Sequence, residues 1–156
     1  MASSVREKDN GHKALLKRIE TSKATLTVGI HEAEGGASEG DGDMTVLDVA
    51  NIHEFGAPAA GIPRRSMIVD WSDEAEEKNR ADLQKMGEAV VKGTLPSFPA
   101  GLDRLGLKFV GDAQVRMREG IPPELAESTV AAKGSSTPLI DTGQLWSSIR
   151  HQVHED

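Results

Sequence analysis

His53-Glu54-Phe55-Gly56 opens like the zinc-protease helix, in which two histidines four residues apart hold the metal and the glutamate between them activates water. Ala57 stands where the second histidine belongs. His31 is the other histidine within plausible reach, so His31, His53 and Glu54 are the set that a small metal-dependent hydrolase would use. The competing reading makes His53 a packed or hydrogen-bonded residue at a helix end, its charge favoured by the C-terminal dipole.

Asp141-Thr142-Gly143 matches the aspartic-protease triplet, but it occurs once and a catalytic dyad needs two. It lies between Pro138-Leu139-Ile140 and the amphipathic Gln144-Leu145-Trp146-Ser147-Ser148-Ile149, so Asp141 reads as the cap of a helix through Thr142 to Ser148. The chain contains no Gly-x-Ser-x-Gly, no Gly-Lys-Ser/Thr phosphate loop and no Gly-x-Gly-x-x-Gly. The acids from Asp73 to Glu77 read as the dipole-favoured start of a helix and lack the ligand spacing of a calcium loop. There is no Cys, which removes thiol redox chemistry and thiolate metal sites. No metal and no cofactor is expected.

The elements that must position these residues follow from periodicity. Leu26, Val28 and Ile30 alternate with Thr25, Thr27 and Gly29, predicting a half-buried strand from Ala24 to Ile30. Thr45 is a candidate N-cap for a helix with Val46, Val49, Ala50 and His53 on one face, ending at Gly56 in a left-handed conformation. Asp70 or Ser72 is placed to cap a long helix to Lys92, with Ala75, Leu83, Met86 and Val90 inward. A second long helix begins at Pro99, carries Leu102, Leu105, Phe109, Ala113 and Met117 inward, and stops at Gly120. The two form a hairpin or an angled pair. A short helix is expected from Glu124 to Lys133, a linker over Ser135 to Pro138, and a closing strand through Ile149, His151 and Val153 that pairs with the first. The fold class is therefore α+β, a small antiparallel sheet packed with two long helices and several short ones.

At 156 residues the chain fits one domain, read as an N-terminal arm and short helix over 1–23 and a single α+β domain over 24–156. An acidic loop is expected over 31–44, because Glu32 to Asp43 holds five acids, four glycines and no basic residue. In the arm, Ala14, Leu15, Leu16 and Ile19 are spaced for an amphipathic helix. Aromatic residues are limited to Phe55, Trp71, Phe98, Phe109 and Trp146, so the core must be largely aliphatic. No apolar run approaches a bilayer span and no signal peptide is recognised, which predicts a soluble chain without membrane partners. A net charge of −7 argues against gripping nucleic acid through its phosphates.

Two blocks carry a resemblance. His53-Glu54-Phe55-Gly56 with Ile62-Pro63-Arg64-Arg65, then Pro123 and Thr129 to Gly134 leading to Pro138-Leu139-Ile140-Asp141-Thr142-Gly143-Gln144-Leu145 and Ser148-Ile149, resemble the tail-completion, neck and virion-morphogenesis proteins of tailed bacteriophages. The chain departs from the pattern with Ser66-Met67 in place of Pro-Phe, and with the Thr-Gly-x-Leu block following the His-Glu-Phe-Gly block. The resemblance implies a non-enzymatic structural protein, made in the host cytoplasm and built into the virion neck or tail. It implies a homo-oligomeric ring, commonly hexameric, that meets the connector or head-closure protein on one side and a tail terminator or tail tube on the other. DNA would pass without specific binding, eased by acidic repulsion. A capsid-associated or tail-assembly factor is the neighbouring alternative. His53, Glu54, Phe55, Arg64, Arg65, Asp141, Thr142, Gln144 and Trp146 are the interface candidates; Pro63 fixes the direction in which the two arginines are presented.

Overall fold

A computed structural model of the chain describes residues 11–20, 23–36, 44–124 and 143–155. β1 (Ala24–Gly29) pairs antiparallel with β2 (Arg150–Glu155), Leu26 opposite Val153 and Val28 opposite His151. The period-two pattern of both strands thus finds its partner across nearly the whole chain. The two-stranded sheet rests on the longest helix, α6 (Phe98–Glu119), whose inward row of Leu102, Phe109, Ala113 and Met117 is buried. Gly106 lets helix and strand approach closely: a Cβ there would lie 2.3 Å from His151 Cδ2.

Before α6 runs α5 (Glu76–Lys92), closed by Gly93 in the left-handed conformation at φ 79°. Ion pairs Lys78–Asp112 at 2.9 Å and Asp82–Lys108 at 2.8 Å bind early α5 to late α6, so the two long helices form an antiparallel hairpin. Burial pushes the Asp112 carboxyl up, but Lys78 and Lys108 outweigh it and hold it below its ordinary range. Of the inward residues expected on α5, Met86 and Val90 are buried, whereas Leu83 is 41% exposed.

Several boundaries differ from expectation. α6 begins one residue early, at Phe98, because the Ser97 side chain accepts the Ala100 amide. The helix expected to start at Asp70 or Ser72 begins as α4 (Val69–Glu74) and breaks at Ala75 before α5, with no cap from either side chain. Within the expected acidic loop, α2 (Glu32–Gly35) forms a single turn; Gly35 is buried, and a Cβ there would meet Leu47 Cβ at 3.2 Å. Residues 37–43 lie outside the described residues, as do 1–10 of the arm, 125–133 of the short helix and the 135–138 linker. The amphipathic helix in the arm is present as α1 (His12–Glu20).

α3 (Val46–Phe55) is capped as its sequence indicates: Thr45 Oγ1 accepts the Asp48 amide, and Asp48 accepts the Thr45 amide in return. Its inward face runs Val46, Ala50 and Glu54 rather than to His53, which is only half-buried. The last helix, α7 (Gln144–Ser148), starts later than expected, with Gly143 at φ 80° in the capping position; Asp141 and Thr142 lie outside the described residues.

Candidate functional site

The His53 to Asp70 segment is one braced unit. α3 ends at Gly56, whose φ of 77° suits glycine, and a Cβ there would lie 3.0 Å from the Arg64 nitrogen. The chain turns through a 3₁₀ turn (Pro58–Ala60), Ala57 and Ile62 bridge antiparallel, and the Arg65 amide donates to the His53 carbonyl at 2.7 Å. The outgoing and returning strands of this loop are therefore hydrogen-bonded to each other, and Pro58 and Pro63 stiffen it further.

Glu54 is the centre of the brace. Its carboxylate accepts the Ser66 hydroxyl and the amides of Met67 at 2.9 Å, Ile68 at 3.2 Å and Val69 at 3.0 Å. Those amides would otherwise be orphan donors at the start of α4, where the helix dipole also favours negative charge. This accounts for the absent Asp70 and Ser72 caps, since a carboxylate from another helix does that work. Burial pushes the Glu54 carboxyl up, but the Ser66 hydroxyl and the Val69, Met67 and Ile68 amides together hold it below its ordinary range.

The two arginines separate. Arg64 forms a fork with Asp70, at 2.9 Å for one nitrogen, on the surface. Arg65 is 5% exposed and donates to the carbonyls of Pro123 at 2.8 Å and Glu124 at 3.0 Å, tying the brace to the segment that follows α6. Phe55 points the other way. It is 67% exposed, the largest exposure among the large apolar side chains described. With Leu47 and Val69 it borders a shallow pocket of about 200 Å³ floored by Ala50 and Met67.

In the second block, Leu145 is buried in the core, and Trp146 and Gln114 exchange side-chain to carbonyl bonds at 3.2 and 3.1 Å. Arg118 stacks on the Trp146 ring at 4.4 Å. The Gln144 carbonyl accepts the Ser147 and Ser148 hydroxyls. Trp146 is thus fixed to α6, and the two blocks meet the same core through Met67, Leu145 and Ile149.

His31, His53 and Glu54 are not gathered as a ligand set: no group of three His, Cys, Asp or Glu able to hold a metal occurs among the described residues. Nε2 of His31 is buried without a hydrogen-bond partner. Sequence reasoning singled out Phe55 but missed Ser66 and the exposed Leu47 and Val69 that flank Phe55. Leu47, Asn51 and Phe55 at four-residue spacing were the available signal, as one exposed row of α3. The chain has no significant match among protein-family models, curated proteins or solved structures.

Proposed function

We propose that this chain is a structural virion protein of a tailed bacteriophage, a subunit of the neck or tail-completion ring that joins the head connector to the tail. The reading starts from the sequence resemblance, and one observation carries it further: the His53-Glu54-Phe55-Gly56 element spends Glu54 on internal bracing and displays Phe55 to solvent from that rigid base. A pre-organised aromatic projection beside an apolar pocket is how an assembly contact gains affinity without a large ordering cost. The hydrolase reading needs Glu54 as a base or ligand, and four donors already occupy its two oxygens.

A reconstruction of virions carrying the chain tests the proposal. Density for it as a ring between head and tail is the expected result. Its presence on the capsid shell, or only in particles before completion, replaces the ring with the capsid-associated or assembly-factor reading.

A further inference from the structure

The sheet stops one strand short of the helices beneath it. Among the described residues β1 pairs with β2 along one edge, and no other main chain bonds to it. In an antiparallel pair every second residue turns both its N–H and its C=O away from the partner strand, so the outer edge of β1 is a row of donors and acceptors without a protein partner. Along that edge runs a groove of about 520 Å³, lined chiefly by Leu26 and Val28 of β1, Trp71 of α4, Leu83 of α5, and Leu102 and Phe109 of α6. Nothing from β2 lines it, which puts the groove on the open side of β1. Trp71 and Phe109 meet edge to face at 5.9 Å in its floor, and Leu83, whose spacing predicts an inward position, is left 41% exposed at its side.

The two edges of the sheet differ. β2 carries Arg150, His151, His154 and Glu155, the kind of composition that guards an edge against further pairing. β1 runs Ala24-Thr25-Leu26-Thr27-Val28-Gly29, with no charge and no proline. A row of alternating main-chain groups is met by an extended backbone, which lies about 4.8 Å from the edge and directs every second side chain toward the groove. A described strand of a second copy would not fill it: Leu26 and Val28 of β1 already pack on that copy's own core, and β2 is charged. The occupant must bring apolar side chains that nothing else buries.

We infer that β1 takes up a third strand from another polypeptide, an extended segment with apolar side chains at alternate positions, its main chain bonded to the outer edge of β1 and those side chains laid over Trp71, Leu83 and Phe109. The inference goes beyond the ring reading and does not depend on it.

Hydrogen exchange of the full-length protein, read amide by amide in NMR, tests it with a Lys-Lys-Thr-Val-Thr-Val-Thr-Val peptide as the probe. Saturable binding that protects the β1 amides facing away from β2 is the expected result; no protection overturns the inference. A peptide of the same composition with its valines in one block, and one methylated at every amide nitrogen, should bind about tenfold or more weakly, because the first loses the alternate placement and the second the main-chain donors. Equal binding by either overturns the inference. Leu83→Glu sets a carboxylate where the added strand must bury it; from that exposed position it should unfold at the parent's midpoint yet bind the alternating peptide about tenfold or more weakly. Binding at the parent's strength overturns the inference. Without peptide, the same amides should exchange freely at every protein concentration. Protection that grows with concentration makes a second copy the occupant, and protection at all concentrations makes it a segment of the chain itself; either result overturns the proposed partner.

Discussion

The carboxylate of Glu54, at the end of α3, accepts the backbone amide of Val69, the first residue of α4, at 3.0 Å. The two are separated by the whole braced loop, so one side chain both caps a helix and closes the motif that displays Phe55.

Removing that carboxylate should therefore be a folding lesion. Glu54→Gln keeps the volume but sets an amide donor against a cluster of donors, and should cost about 1–3 kcal/mol; Glu54→Ala should cost more, because it orphans the Ser66 hydroxyl and the amides together. Denaturant unfolding of both variants checks the order. A Glu54→Gln protein as stable as its parent would remove the brace from the account.

The same group sets a pH dependence. Its folded pKa lies below the ordinary 4.5, so its stabilisation is complete above that value and is lost as pH falls through the lower, folded one. The gap in melting temperature between parent and Glu54→Gln should be widest near neutrality and narrow as pH drops below about 4.5. Thermal scans across acid pH give the profile.

Arg64 and Arg65, adjacent in sequence, should respond differently to mutation. Arg65→Ala removes a buried guanidinium and its bonds to the Pro123 and Glu124 carbonyls, and should cost about 1–3 kcal/mol. Arg64→Ala gives up a solvent-screened pair with Asp70 and should scarcely move the unfolding midpoint. A double change to Glu is consequently a poor probe of an interface, since its Arg65 half disturbs the fold; Arg64→Glu alone is the clean one.

Two glycines of α6 should give opposite signs. Gly106→Ala drives a Cβ into the His151 ring and should destabilise by about 1–3 kcal/mol. Gly111→Ala meets open space and should stabilise by about 1 kcal/mol through helix propensity. Paired thermal melts decide both.

Periodicity and capping chemistry are local, so the sequence alone determined the strand from Ala24, the Thr45 cap, the stop at Gly93 and the row from Leu102 to Met117. Even the pairing of the first and last strands was legible, because two half-apolar strands in an otherwise helical chain have only each other to complete a sheet. What local pattern could not decide was the direction in which each motif residue points. His53 and Glu54 are neighbours on one turn, and only tertiary structure decided that Glu54 turns inward, because four donors from a segment more than ten residues later outweigh its desolvation. The same holds for Arg64 and Arg65, split between solvent and core by the position of the Pro123 and Glu124 carbonyls. It holds for α4, whose start is set by a carboxylate that no window of sequence around Asp70 contains.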